Sequence, residues 1–217
     1  MCPSPAAGRT RGDFGIAGPA RITSNDVMRI IAGEHRGRVI LGPRGASTTR
    51  PMTDRVKESL FNRLKARDVL HGEVLDLFAG TGSLGLETLS RGADHCTFIE
   101  RDRSAVELLH RNLQTLGLES RATVRRMNAL SASWAALVDD RMVRLVLCDP
   151  PYRMTEHDAG LHRITVTLAA LAVVVEPGGL LMLRTPRATA VDPIEGWEGP
   201  ESHLYGSMRL AFFQREG

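Results

Sequence analysis

The chain has 217 residues, of which 42% are hydrophobic, and a formal net charge of +3. This length suffices for one sizeable hydrophobic core but not for two, so one domain with a small extension is expected. The longest apolar stretch, at 168–175, is about half as long as a segment that spans a bilayer. We therefore expect neither a membrane protein nor a secretory signal, and we expect a cytoplasmic location.

Cysteine and histidine spacing gives no indication of a metal site. The three cysteines, Cys2, Cys96 and Cys148, are far apart, and the seven histidines form no His-x-x-x-His pair. We expect no disulfide framework and no metal. Cys96 and Cys148 are expected to be buried as small apolar residues.

Positive charge is concentrated at the start of the chain. Residues 1–57 contain 10 Lys or Arg against 4 Asp or Glu, whereas the remainder contains 18 against 21. This asymmetry is typical of a basic arm that contacts phosphate groups and is attached to a near-neutral body. A solvated basic tail would produce the same asymmetry.

Three segments are predicted along the chain. Residues 1–26 are rich in Gly, Pro, Ala, Ser and Arg and are expected to be a disordered leader. Residues 27–49 are predicted to form a basic β-hairpin extension, with strands at 29–32 and 38–41 around a turn bounded by glycines. Residues 50–217 are expected to form the main domain.

The main domain is predicted to be an α/β fold that begins with a helix capped by Thr53. Strands are expected at 74–78, 96–99, 122–125, 143–148 and 180–183, and further helices at 84–91, 103–116, 130–138 and 159–174. This alternation implies right-handed crossovers and a mostly parallel, doubly wound sheet. The segments 202–205 and 208–213 predict a final antiparallel hairpin.

A glycine-rich turn follows the first strand of the main domain. Gly80, Gly82 and Gly85 form a Gly-x-Gly-x-x-Gly pattern between a strand and a helix. Such a turn serves a dinucleotide or S-adenosylmethionine equally well. Glu100, at the end of the next strand, is placed to accept hydrogen bonds from ribose hydroxyls, which both cofactors carry.

The residue before this turn favours the methyl donor. The Asp76 carboxylate would attract a methionine ammonium and would repel a pyrophosphate. Phe78, in the same turn, is a further candidate for cofactor binding. Asn128, just beyond the third strand, could pair with an adenine edge because an amide offers both a donor and an acceptor. A nicotinamide cofactor stays open as the alternative.

The sequence Asp-Pro-Pro-Tyr at 149–152 follows the fourth strand, at the edge where open parallel sheets bind ligands. An amino group on a base ring is a poor nucleophile because its lone pair is delocalised. Asp149 and the Pro150 carbonyl could accept its two hydrogens and direct the lone pair at a methyl group. Pro151 would stiffen the segment, and Tyr152 would stack on the extruded base.

These motifs together resemble the RsmD family of 16S ribosomal RNA guanine-N2 methyltransferases. The likeness extends over 28–214, and three segments carry it. The first lies within the hairpin at 29–38, the second is 50–62, and the third is the glycine loop together with 149–152. The second segment is the most specific to the family.

The resemblance implies a Rossmann-like class I fold that binds S-adenosylmethionine and methylates the guanine called 966. It also implies that the substrate is the small ribosomal subunit, assembled or partly assembled, and we expect a monomer. The helix that opens at Thr53 would close over the cofactor, which makes Thr53 a candidate for cofactor binding. The implied RNA-binding residues lie on or just after the hairpin: Arg29, His35, Arg36, Arg38 and Arg50.

Other functions share parts of this pattern. A DNA amino-methyltransferase would use the same chemistry at 149–152, although no additional target-recognition domain is evident. Methylation of cytosine C5 requires a cysteine nucleophile, whereas Cys148 lies inside a predicted strand. A nicotinamide oxidoreductase would explain the glycine loop alone. A non-catalytic RNA-binding protein would leave the intact site residues unexplained.

Overall fold

The computed structural model describes residues 27–43, 52–131 and 142–217. The predicted leader, Arg50 and most of the helix expected at 130–138 lie outside the described residues. The described helices are α1 (Asp54–Ala66), α2 (Ser83–Ser90), α3 (Arg103–Leu116) and α4 (Asp158–Leu171). The described strands are β1 (Val27–Arg29), β2 (Val39–Leu41), β3 (Glu73–Leu77), β4 (His95–Glu100), β5 (Ala122–Arg126), β6 (Val143–Cys148), β7 (Val175–Pro186), β8 (Trp197–Tyr205) and β9 (Met208–Arg215).

The main sheet has seven strands in the order β5-β4-β3-β6-β7-β9-β8. The pairs among β3, β4, β5, β6 and β7 are parallel, whereas β9 is antiparallel to both β7 and β8. The predicted α/β class, the mostly parallel sheet and the C-terminal antiparallel hairpin are therefore confirmed. The strand order reverses between β3 and β6, which is where doubly wound folds bind ligands.

Helices cover both faces of this sheet. On one face, α1, α2 and α3 pack with the hairpin over one hydrophobic cluster, and α4 packs on the other face. Apolar side chains recur along α3 at helical spacing and are buried, at Val106, Leu109, Leu113 and Leu116. The helix spans the predicted residues and ends before Gly117, whose φ of 67° is favourable for glycine.

The N-terminal hairpin has shorter strands than the sequence predicts. Its paired strands, β1 and β2, have three residues each. The backbone N–H groups of Ile31 and Ala32 donate to the Glu87 carboxylate on α2, at 2.7 and 3.0 Å, rather than to the partner strand. The hairpin is thereby attached to the body of the fold at the point where pairing ends.

Two C-terminal strands are longer than predicted. β7 begins at Val175 rather than at Leu180, and β8 begins at Trp197 rather than at Ser202. Both extra segments contain Gly and Pro, which normally mark turns. The strands accommodate these residues by shifts in the pairing register, one of which falls between Glu198 and Glu201.

Two further expectations concern burial and the membrane. Cys96 and Cys148 are both fully buried, as predicted. Within 27–43, 52–131 and 142–217, no helix combines the length and the apolar character needed to cross a bilayer. The cytoplasmic location and the segment boundaries at 26/27 and 49/50 stay predictions.

Candidate active site

A cavity of about 310 Å³ lies at the carboxyl ends of the central strands. It opens at the place where the strand order reverses, so the loops after several strands reach it together. Six residues singled out in the sequence line this cavity: Phe78, Gly80, Glu100, Asn128, Asp149 and Pro151. The structure therefore brings the glycine loop and the Asp-Pro-Pro-Tyr segment to one site.

The Glu100 carboxylate is held rigidly at the end of β4. One oxygen accepts a hydrogen bond from the Gly80 N–H at 2.9 Å, and the other accepts from Arg101 and Asp102 at 2.7 and 2.8 Å. An ionised carboxylate has about four lone-pair directions, so it retains acceptor capacity toward the cavity. This geometry suits the recognition of neighbouring hydroxyl groups.

The loop glycines serve different purposes. Gly80 lines the cavity with a φ of +56°, and a Cβ there would meet no atom within 4 Å. A Cβ on Gly82 would lie 2.4 Å from Leu109 on α3, and one on Gly85 would lie 2.3 Å from Phe98 on β4. Gly80 is thus the glycine open to a ligand, whereas Gly82 and Gly85 allow the loop and α2 to pack closely.

Phe78, the first residue after β3, has an unusual backbone conformation at the start of this loop. Its φ is 59°, a left-handed value that costs a non-glycine residue about 1–2 kcal/mol. The next residue is held by a hydrogen bond from the Ala79 N–H to the Ile99 carbonyl at 3.0 Å. Such strain in a loop that lines a cavity is typical of a preorganised binding site.

Asp76 lies beneath the loop rather than in the cavity wall. It is 1% exposed, and its carboxylate accepts a hydrogen bond from the Gly85 N–H at 2.9 Å. Burial raises the pKa of Asp76 to about 8; the Gly85 hydrogen bond opposes this rise, and the charges of Asp149 and Glu100 add to it. This carboxylate supports the glycine loop through its Oδ2 atom, and its contact with a methionine ammonium stays a prediction.

The buried Asp76 carboxyl should make stability depend on pH. Its pKa is about 8 in the folded chain against an ordinary 3.8. Its stabilising contribution is therefore fully present below about pH 4 and is lost progressively in the window between about pH 4 and pH 8. We expect the unfolding free energy of the wild type, relative to Asp76→Asn, to fall by at most about 1.4 kcal/mol per pH unit in this window. Urea unfolding across the window measures this difference, and a constant difference would contradict it.

Two other cofactor candidates occupy different positions. Asn128 lines the cavity, and its side-chain oxygen accepts from the Leu130 N–H at 3.1 Å, whereas its NH₂ group donates to none of the residues that the structure describes. Thr53 caps α1, where its hydroxyl accepts from the Val56 N–H at 3.5 Å, and it does not line the cavity. The structure thus brings Asn128, but not Thr53, to the candidate cofactor site.

Asp149 meets a buried arginine that sequence reasoning missed. The Nη1 atom of Arg184 lies 3.0 and 2.9 Å from the two carboxylate oxygens of Asp149. Burial raises the pKa of Asp149, while the charge and hydrogen bonds of Arg184 oppose that rise. One signal was present in the sequence, because Arg184 directly follows the apolar run Leu180–Leu183 of a predicted strand.

The rest of the Asp-Pro-Pro-Tyr segment forms a tight turn. The Pro151 carbonyl accepts from the Met154 N–H and the Tyr152 carbonyl accepts from the Thr155 N–H, each at 2.8 Å. No hydrogen bond to the Pro150 carbonyl is found from any residue that the structure describes. The Tyr152 ring does not line the cavity; its hydroxyl accepts a hydrogen bond from Arg184 at 3.1 Å. Stacking of this ring on a base stays a prediction.

Comparison with known proteins identifies the family. The family described as "Conserved hypothetical protein 95" matches residues 28–214. The chain belongs to this family, the RsmD family. The Bacillus subtilis protein YlbH is 45% identical over 191 residues, which cover 88% of this chain and 100% of YlbH. Ribosomal RNA small subunit methyltransferase D of Haemophilus influenzae is 35% identical over 190 residues, which cover 86% of this chain and 93% of that protein.

A solved structure agrees with this membership of the RsmD family. The Escherichia coli protein YhhF superimposes with a TM-score of 0.71 at 33% identity. The match covers 88% of this chain and 98% of YhhF. The class I methyltransferase architecture expected from the sequence is therefore confirmed, and the chain is a methyltransferase of the RsmD family.

The hairpin of this RsmD-family protein presents fewer free cations than its sequence suggests. The Arg29 guanidinium pairs with Asp54 at 2.6 Å, and Arg38 donates to the Thr115 carbonyl at 2.7 Å. The His35 side chain is only 12% exposed. Arg36 is exposed, and its side chain makes no hydrogen bond or ion pair with the residues that the structure describes. Arg36 is thus the hairpin cation best placed to meet a phosphate.

Metal binding finds no structural support in the described ranges. Among residues 27–43, 52–131 and 142–217, no three His, Cys, Asp or Glu side chains are grouped so that they could hold an ion. The absence of a metal stays a prediction for this RsmD-family chain.

Proposed function

We propose that the chain transfers a methyl group from S-adenosylmethionine to the exocyclic N2 amino group of one guanine in 16S ribosomal RNA, guanine 966 by the family resemblance. One observation carries the proposal. The Asp149 carboxylate lines the same cavity as Glu100 and Gly80, and the adjacent Pro150 carbonyl accepts no hydrogen bond from the described residues. An acceptor suited to an amino group, the Asp149 carboxylate, thus lies in one cavity with groups suited to a nucleoside cofactor, whereas Pro150 does not line this cavity.

The residues around the cavity fit S-adenosylmethionine. Glu100 offers a fixed carboxylate for the two ribose hydroxyls, and the NH₂ group of Asn128 could donate to an adenine ring nitrogen. Ile99 and Met127 supply apolar walls for the adenine. Gly80 leaves room for a close approach to the backbone. S-adenosylmethionine carries no pyrophosphate, so this assignment does not require the glycine loop to bind one.

The transfer requires positioning more than acid–base catalysis. When bound, S-adenosylmethionine supplies the methyl group: its carbon–sulfur bond breaks as the carbon–nitrogen bond forms, the electron pair stays on sulfur, and the amino nitrogen then releases one proton to water. Asp149 and the Pro150 carbonyl accept the two amino hydrogens, which directs the nitrogen lone pair toward the methyl group. The same carboxylate stabilises the positive charge that develops on the nitrogen.

Ribosomal RNA is proposed as the substrate because of the relatives' names and the surface of the hairpin. The Haemophilus influenzae relative is named ribosomal RNA small subunit methyltransferase D. In this chain, Arg153 is an exposed cation that lines the cavity, and Arg36 is an exposed cation on the hairpin. We propose that Arg153 contacts an RNA phosphate next to the extruded base. Arg36 lies on the hairpin turn that packs against Ser90 at the end of α2, so it would contact RNA phosphates farther from the cavity.

Charge reversal at Arg36 should weaken RNA binding in a salt-dependent way. We expect Arg36→Glu to raise the dissociation constant for 16S ribosomal RNA and to lower the slope of log Kd against log salt by about 1. Filter binding at several salt concentrations measures both quantities. Arg163→Glu, on the exposed side of α4 and on the opposite face of the sheet, is the matched control and should leave both unchanged. Equal effects of the two substitutions would contradict a role of the hairpin.

Nucleoside analysis of the product tests the proposed atom. Ribosomal RNA incubated with the protein and S-adenosylmethionine is digested to nucleosides and separated by mass spectrometry. We expect N2-methylguanosine. Methylated adenosine or cytidine would retain the amino-transfer chemistry but overturn the proposed base, and a methyl group on ribose or on a ring carbon would overturn the role of Asp149.

A further inference from the structure

Arg184 lies directly behind the candidate target site. Cys148 on β6 pairs with Leu183 on β7, so the residue after each of them, Asp149 and Arg184, lies at the same edge of the sheet. Asp149 lines the cavity, whereas Arg184 is 2% exposed and does not line it. A guanidinium therefore occupies the layer beneath the carboxylate.

The guanidinium of Arg184 makes contacts with both functional side chains of the segment. Its Nη1 reaches both oxygens of Asp149, at 3.0 and 2.9 Å, and its Nη2 donates to the Tyr152 hydroxyl at 3.1 Å. Its central carbon also lies 4.9 Å from the centroid of the Tyr152 ring. One side chain thus fixes the carboxylate plane and the position of the aromatic ring together.

The presence of a buried arginine in this apolar strand requires an explanation other than stability. The preceding residues, Leu181, Met182 and Leu183, are all 0% exposed. Replacing a buried ion pair by apolar side chains is often neutral or stabilising, so stability alone does not explain a charge here. Breaks in an otherwise apolar pattern concentrate at functional sites.

We propose that Arg184 is a positioning residue for methyl transfer, which holds the Asp149 carboxylate and the Tyr152 ring in the geometry that receives the target base. The inference rests on the proposed function, because it assigns Arg184 a part in that same site. Arg184 carries only donors, so it neither accepts the amino hydrogens nor removes a proton. Its charge and hydrogen bonds favour the ionised, acceptor-only form of Asp149, in which the carboxylate's remaining lone pairs can accept from the amino group.

Graded substitutions of Arg184 test this role. Arg184→Lys keeps the positive charge but loses the guanidinium geometry that contacts both oxygens of Asp149. Arg184→Met removes both the charge and this geometry. The matched control is Arg144→Met, because Arg144 also pairs with a carboxylate between β6 and β7, with Glu176 at 3.2 Å, at the opposite edge of the sheet. For each protein, kcat, the KM for RNA, the pH dependence of kcat and calorimetric S-adenosylmethionine affinity are measured.

We expect Arg184→Lys to lower kcat on the order of 100-fold, since small displacements of reacting groups have effects of this size. Cofactor affinity and the KM for RNA should stay within about threefold of the wild type. The acidic limb of the pH profile of kcat should move to higher pH, because Asp149 loses the partner that favours its ionised form. The shift should be larger for Arg184→Met than for Arg184→Lys. Arg144→Met should leave kcat and the pH profile unchanged.

The outcomes separate this inference from the proposed function. A wild-type protein that transfers no methyl group to ribosomal RNA would overturn both. An active wild type with unchanged kcat and pH profile in Arg184→Lys would overturn the positioning role alone. A parallel loss of kcat and cofactor affinity, without a shift of the pH profile, would also overturn it and would show a purely structural role. If Arg184→Met fails to fold, the Lys variant decides.

Discussion

Replacing Asp149 by Ala should nearly abolish methyl transfer while leaving cofactor binding intact. The substitution removes the carboxylate that accepts the amino hydrogens and stabilises the developing positive charge. Loss of one such group typically lowers kcat by about 100- to 1,000-fold. The Glu100 carboxylate and the glycine loop keep their own hydrogen bonds, so S-adenosylmethionine affinity measured by calorimetry should change little.

The Ala variant also leaves the Arg184 guanidinium without the carboxylate that pairs with it. Breaking a buried ion pair costs about 3–5 kcal/mol, so a loss of activity could reflect unfolding. Asp149→Asn separates the two effects, because its amide oxygen can still accept from Arg184 while its NH₂ group cannot accept from a base. We expect the Asn variant to be folded, to bind the cofactor and to have a kcat between those of the wild type and Asp149→Ala. A kcat for Asp149→Ala above half that of the wild type would contradict the mechanism.

Removing the Glu87 carboxylate should destabilise the whole fold. Glu87 is 0% exposed and accepts from the hairpin N–H groups of Ile31 and Ala32. It also pairs with Lys57 of α1 at 3.3 Å and with Arg91 at 2.7 Å. Glu87→Ala leaves two cations without this buried partner, so we expect the free energy of unfolding to fall by about 3–5 kcal/mol.

An exposed ion pair provides the matched control for Glu87. Glu107 on α3 pairs with Arg103 at 3.0 Å, four residues away, as Glu87 pairs with Arg91. Since both Glu107 and Arg103 are largely exposed, Glu107→Ala should change the free energy of unfolding by no more than about 0.5 kcal/mol. Urea denaturation of both variants compares the two effects. Equal destabilisation by the two substitutions would show that the Glu87 cluster does not hold the hairpin to the body.

The parts of the fold set by local pattern could be predicted from the sequence. The apolar spacing over 103–116 and the stop at Gly117 define α3, and both agree with the structure. The position of the Asp-Pro-Pro-Tyr segment after β6 follows from the alternation of strands and helices. The topology of a parallel sheet then brings this segment to the glycine loop, which explains why residues from both motifs could be predicted to line one cavity.

The parts that depend on contacts between distant residues could not be predicted. Arg184 lies 35 positions after Asp149, and only the register between β6 and β7 brings them together. Ile31 meets Glu87 across 56 positions, so the early end of the hairpin strands leaves no local signal. All five residues of β3 are buried, so alternation along the strand does not show which way Asp76 points.

Transfer of a tritiated methyl group to three substrates tests the proposed function most directly. The protein is incubated with labelled S-adenosylmethionine and with undermethylated small ribosomal subunits, naked 16S ribosomal RNA or duplex DNA. We expect label in ribosomal RNA, presented alone or within the subunit, and confined to one guanine. Label in DNA alone would contradict the proposed substrate, and no label in any of the three would contradict methyl transfer to nucleic acid itself.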